Sequence, residues 1–182
     1  MVTLSPRLLP RSRLPRNVNP SACLLAQATA EVNRVSSKVE PILMDGTVPI
    51  FRLPLFDIVV CNPPYVPVMP EEKFELSGGL VESYLEKSWD GGPDGNSFII
   101  PFLKTVPKLL TKTGALYLLL SSWNEPENLM GTVALEEGLV GTMVIKRQAG
   151  RERLSVWRLV RANCSCKSAP PEVVESKLNF SL

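Results

Sequence analysis

Asn62, Pro63, Pro64 and Tyr65 stand together at the end of the run Phe56-Asp57-Ile58-Val59-Val60-Cys61. Two consecutive prolines remove two backbone N–H donors and fix two φ angles, so the main chain of this turn offers mostly carbonyl acceptors beside the Asn62 carboxamide. Ile58, Val59 and Val60 are apolar in succession without alternation, the pattern of a central parallel strand buried on both faces. The carboxyl end of such a strand is where open α/β sheets place their ligands. A tight Pro-Pro turn after a buried strand is the plain structural alternative.

The elements that must position this turn lie on both sides of it. Met1 to Arg16 hold four arginines, no acidic residue and prolines at 6, 10 and 15. Prolines at that spacing prevent the amphipathic helix of a mitochondrial targeting peptide, so the expectation is a disordered basic arm. Asn19-Pro20 caps and opens a helix from Pro20 to Arg34, with Leu25, Ala28, Val32 and Val35 on one apolar face. Pro41 to Met44 reads as a short strand ending at Asp45-Gly46, where an acidic side chain closes a turn or accepts a ligand hydrogen bond. Val66 to Glu75 reads as a loop. Ser77-Gly78-Gly79 and Asp90-Gly91-Gly92-Pro93-Asp94-Gly95 bracket a weakly helical Val81 to Lys87 and suggest a flexible lid or rim outside the core.

Asn96 can cap a helix running to Leu110, kinked by Pro101 and Pro107. Gly114 to Leu120 is a second buried strand. Asn124-x-x-Glu127 has the capping-box pattern for a helix to Glu137, closed by Gly138. Val140 to Arg147 and Leu154 to Arg161, joined by a short polar loop with Gly150, form an antiparallel hairpin. The order gives an α/β fold with one domain over residues 17–161, an arm before it and a flexible tail at 162–182.

Composition narrows the function. The 182 residues carry a net charge of +2, and 45% are hydrophobic, as in an ordinary globular chain. No apolar run approaches the ~20 residues of a membrane helix. The absence of histidine removes imidazole acid–base chemistry and the commonest metal ligand. Cys23, Cys61, Cys164 and Cys166 are too scattered for a disulfide framework, and Cys164-x-Cys166 alone is no metal site. A reducing cytoplasmic or nuclear setting follows. Outside the first residues no basic stripe interleaves with aromatics, so no specific nucleic acid is expected.

Phe56-Asp57-Ile58-Val59-Val60-Cys61-Asn62-Pro63-Pro64-Tyr65-Val66 resembles the signature after the fourth strand of S-adenosylmethionine-dependent methyltransferases that act on planar amino groups. Trp89-Asp90-Gly91-Gly92-Pro93-Asp94-Gly95 resembles the W-x-G-G-x-x-G loop of the HemK-like release-factor glutamine methyltransferases. Arg147-Gln148-Ala149-Gly150-Arg151-Glu152-x-Leu154-Ser155-Val156 resembles the final hairpin of their eukaryotic branch. The resemblance implies a Rossmann-like sheet, mostly parallel with a C-terminal antiparallel hairpin. It implies S-adenosyl-L-methionine as cofactor and N5-methylation of the GGQ glutamine of the class I translation release factor. A small zinc-binding activator subunit is the implied partner. The Asn62 carboxamide oxygen and the Pro63 carbonyl would accept the two N–H bonds of the substrate amide. Pro64 would keep that carbonyl aimed, and Tyr65 would pack on the planar group. Holding nitrogen, methyl and sulfur in line is then most of the catalysis, and no general base is required before transfer.

The sequence departs from that pattern in its cofactor half. It contains no E-x-G-x-G-x-G loop, and Asn17-Val18-Asn19-Pro20 stands where the family has D-I-N-P, so Asn17 keeps an acceptor for the ribose hydroxyls and loses the charge. Asp45 matches the acidic position that contacts the adenine amino group. Without the family's first strand, the strand Phe56–Cys61 is expected to lack one neighbour and to expose a flat apolar edge. A catalytically inactive remnant that retains only target or partner binding is one alternative to the enzyme. A nucleic-acid adenine N6-methyltransferase is the other.

Overall fold

The computed structural model describes residues 2–6, 14–47, 56–69, 84, 86–163 and 174–175. In chain order the elements are β1 (Val2–Pro6), β2 (Leu14–Asn17), α1 (Pro20–Val32), β3 (Ile42–Leu43), β4 (Phe56–Cys61), α2 (Ile99–Leu109), β5 (Leu110–Ser121), α3 (Pro126–Leu129), β6 (Leu139–Ala149), β7 (Glu152–Arg161) and β8 (Val174–Glu175). A wider π turn, Met130–Ala134, prolongs α3. Among the described residues the strands form one sheet in the order β3-β2-β1-β4-β5-β7-β6-β8. The α/β fold and the antiparallel hairpin β6–β7 are those expected from the sequence. β4 and β5 run parallel, with Val59 opposite Leu116 and Cys61 opposite Leu118.

The N-terminal residues overturn two expectations. Val2–Pro6 and Leu14–Asn17 are paired strands, where a disordered arm was expected over 1–16. β1 also fills the gap beside β4, so the expected bare edge does not exist. The driving force is the row of unpaired N–H and C=O groups that β4 would otherwise present. Direction follows from chain length. Only seven residues (7–13) separate β1 from β2, and a parallel return needs a crossover of a dozen or more. β1 therefore runs antiparallel to both neighbours, although β2 is parallel to β3 and β4 to β5. At the other end, Val174–Glu175 within the expected flexible tail adds to β6 as a parallel strand.

The core lies on one face of the sheet. Phe56, Val59 and Cys61 of β4 meet Leu116, Leu118 and Leu120 of β5, Trp157 and Leu159 of β7, and Ile99, Phe102, Leu103 and Val106 of α2. Leu129 and Met130 close it from the α3 side. The opposite face is thinner: Ile58 is 45% exposed and Val60 46% exposed, so β4 is not buried on both faces as its apolar run suggested. α1 packs mainly along β2 and β3. Its expected apolar face is open, with Leu25 68% and Val32 84% exposed, and Ala30 is its buried residue. An amphipathic pattern needs a second layer to bury against, and the described residues place none there.

Helix ends differ in detail. Asn19 caps α1 as expected, its Oδ1 accepting from the Ser21 N–H at 2.9 Å. The residue capping α2 is Phe98, not Asn96, and it offers no side-chain cap. Pro101 stands in the first turn of α2, where no earlier carbonyl is required, while Pro107 removes one bond in its last turn. Gly138, at φ +70°, closes the helical stretch as expected.

Cys61 is buried at the end of β4, and that burial pushes its thiol up from 9.0 to about 12. A pKa raised on folding stabilises the fold in full below pH 9, and that contribution is lost as pH rises from about 9 to 12. At pH 8 a thiol-alkylating reagent should therefore label the half-buried Cys23 and spare Cys61, read residue by residue by mass spectrometry. The loss of stability between pH 9 and 12 should shrink in Cys61→Ala. Labelling of Cys61 at the rate of Cys23 contradicts this.

Candidate active site

The turn Asn62–Tyr65 leaves the carboxyl end of β4 as the sequence required. Asn62 is exposed and Pro63 buried, with Pro64 and Tyr65 half-buried. Beside the turn opens a cavity of about 610 Å³ lined by Asn17, Asp45, Pro64, Asp90, Gly92 and Phe98, among others. Of the six nominated residues, this cavity gathers Asn17, Asp45 and Pro64. Asn62, Pro63 and Tyr65 stand outside its lining, on the same turn.

Each wall has a local cause. Asn17 ends β2, and its Oδ1 accepts from the Asn19 N–H at 2.9 Å. Asp45 follows β3 in an Asx turn, its Oδ1 accepting from the Thr47 N–H and hydroxyl, both at 2.8 Å. The Thr105 hydroxyl of α2 donates to the Thr47 carbonyl at 2.8 Å and so ties this turn to the core helix. Phe98 stacks on Phe102 with centroids 5.5 Å apart, giving the cavity a flat apolar wall backed by the core. Phe98 stands within the stretch expected as a helix from Asn96, and its half-buried ring on the cavity was not foreseen from the sequence.

The loop Asp90–Gly95 is the clearest correction. It rims the cavity through Asp90, Gly92 and Pro93, yet Gly91 and Gly95 are buried, so it is part of the packed body. Three main-chain bonds sew it to the turn: Val66 N–H to Trp89 O at 3.0 Å, Gly91 N–H to Val66 O at 2.8 Å, and Val68 N–H to Gly92 O at 2.9 Å. The residues of the other expected loop, Ser77-Gly78-Gly79, lie outside those described. Tyr65 is fixed a second way. Burial, with the charge of Glu152 and a hydrogen bond to its carboxylate, raises the phenol above its ordinary value and keeps it protonated. Glu152 opens β7, so the hairpin tip reaches the turn.

Chemically the site is a rigid acceptor turn at the mouth of a cavity with two carboxamide or carboxylate acceptors and one aromatic wall. That is a place for a planar N–H-bearing group beside an aromatic nucleoside-sized ligand.

The mouse protein named methyltransferase HEMK2 is 35% identical to the chain over 149 residues, 80% of this chain. The chain is similar to the HemK-like methyltransferases. It spans 64% of that relative's length. The fission yeast protein named eRF1 methyltransferase catalytic subunit mtq2 is 29% identical over 154 residues, 80% of this chain and 62% of its own length. No protein-family profile matches the chain. Among solved structures, E. cuniculi Mtq2 in complex with Trm112, described as methylating the eRF1 translation termination factor, superposes with a TM-score of 0.52 at 18% identity. It covers 81% of this chain and 83% of Mtq2, which supports the same Rossmann-like fold. In the structure the acceptor turn, the glycine loop and the hairpin tip meet at one place, a juxtaposition that the separate motifs did not show.

Proposed function

We propose that the chain uses S-adenosyl-L-methionine to methylate the N5 of a glutamine, the GGQ glutamine of the class I translation release factor, with a small zinc-binding activator subunit as partner in a cytoplasmic or nuclear setting. The observation that carries this reading is the juxtaposition of Asn62–Tyr65 with a cavity collecting Asn17, Asp45 and Phe98. The Asn62 carboxamide oxygen and the Pro63 carbonyl receive the two amide N–H groups and orient the nitrogen. Resonance makes that nitrogen a weak nucleophile, so alignment and electrostatic support supply most of the acceleration. Asn17 and Asp45 fit the hydroxyl and amino groups of an adenosine moiety, and Phe98 fits its ring. The cofactor supplies the electrophilic methyl group.

Both acceptors on this wall already hold local bonds, Asn17 to the Asn19 N–H and Asp45 to Thr47. The sequence also lacks a glycine loop of E-x-G-x-G-x-G type. Calorimetric titration of the purified chain should therefore show S-adenosylmethionine binding weaker than micromolar, and micromolar binding overturns that part. The reaction itself is tested with labelled cofactor at millimolar concentration and recombinant release factor. One methyl group on the glutamine of Gly-Gly-Gln is expected. An unmodified glutamine, while the mouse relative modifies it in parallel, refutes the reading.

A further inference from the structure

Asn124 follows β5 in the short 3-10 turn Ser122–Asn124 and is completely buried. Its pattern Asn124-x-x-Glu127 predicted a helix cap, but its side chain faces the other way. Oδ1 accepts from the Ser121 N–H at 2.9 Å. Nδ2 donates to the Tyr65 carbonyl at 2.9 Å and to the Gly95 carbonyl at 3.1 Å. One carboxamide thus joins the end of β5, the acceptor turn and the glycine loop, with both Nδ2 hydrogens in use.

We propose that Asn124 is the positioning residue of this site: by holding the Tyr65 and Gly95 carbonyls together, it fixes the acceptor turn against the Gly91–Gly95 loop and sets the direction in which the turn presents its acceptors. This rests on the functional reading above. The surroundings are built for the contact. Gly95 sits at φ +73°, and a Cβ there would lie 2.5 Å from the Tyr65 carbonyl oxygen and 2.7 Å from Asn124 Nδ2. Only glycine lets the amide reach both carbonyls. The next residue, Glu125, adopts a left-handed conformation (φ 49°, ψ 62°) immediately before Pro126. That is an unfavourable place for a side-chain-bearing residue, and it starts α3 without using Asn124 as its cap. A buried amide with an apolar replacement would leave two carbonyls and one N–H without partners, which makes the contact hard to exchange for packing.

Asn124→Asp separates the two halves of this role. The carboxylate still accepts from Ser121, but it faces two carbonyls with no hydrogen to give. Gly95→Ala is the second variant, pushing the loop away while leaving the amide intact. The probe is a peptide carrying Gly-Gly-Gln, compared with its Gly-Gly-Glu twin, because oriented acceptors select an amide over a carboxylate. The full chain should prefer the Gln peptide. Each variant, if folded by circular dichroism, should lose about tenfold of that preference, a change that lost stability alone does not produce. Wild-type preference in a folded variant overturns the proposal.

Hydrogen exchange on the unsubstituted chain decides the case where both variants unfold. The Asn124 carboxamide protons and the amides of Val66, Val68 and Gly91 should exchange through one shared opening, and independent openings overturn the proposal. If the unsubstituted chain shows no preference for Gln, the functional reading fails, and the same exchange measurement still judges Asn124.

Discussion

Excision of residues 1–13 is expected to make the chain aggregate. β1 meets β4 at five partner positions and β2 at three, so its removal strips both flanks at once. At about 1 kcal/mol net per hydrogen bond, the ladder on the β4 side alone is worth a few kcal/mol, a large share of the stability of a small domain. The newly bared edge belongs to a strand whose outer face carries Ile58 and Val60, each about half exposed. An unpaired strand with apolar side chains is a template for another copy. Light scattering after size exclusion reads the outcome. A monomer with an unchanged melting temperature after the excision would show that β4 does not depend on β1.

What the sequence made legible was what depends on local pattern. The unbroken run Ile58–Val60, the Asn19-Pro20 start of α1 and the short Gly150 loop of the hairpin each specify themselves within a few residues, and each appears where it was read. β1 was illegible for the opposite reason. Val2–Pro6 has no persuasive strand pattern of its own, and its pairing comes from the distant need of β4 for a neighbour. The same logic explains Ile58 and Leu25. Their apolar character marks a surface that a second layer could cover, but whether a layer is present is a tertiary fact. In the site, Asn62–Tyr65 was legible because prolines advertise the turn. Asn124 was hidden because one motif, an Asn three residues before a Glu, also describes a helix cap. Only the placement of Tyr65 and Gly95 distinguishes the two uses.

On the proposed reaction, Asn62→Ala is expected to lower methyl transfer to the release-factor glutamine by about 10²–10³-fold in kcat, the loss found when one preorganised polar group is removed from a catalytic site. Its exposure makes the experiment clean. A surface substitution away from the core should shift stability by no more than about 0.5 kcal/mol, so a large kinetic effect cannot be attributed to unfolding. The neighbours keep the turn in shape without it: Pro63 is buried, and the Tyr65 carbonyl is held at 2.9 Å by Asn124. Asn62→Asp then tests which atom matters. It retains an oxygen acceptor for the substrate N–H and loses only the carboxamide nitrogen, while adding a charge. If the oxygen is the working atom, Asp should retain more kcat than Ala. Equal loss in both variants would assign the work to the carboxamide nitrogen. A wild-type kcat in Asn62→Ala would remove Asn62 from the site and leave the Pro63 carbonyl to orient the amide alone, which one acceptor cannot do for two N–H groups in different directions.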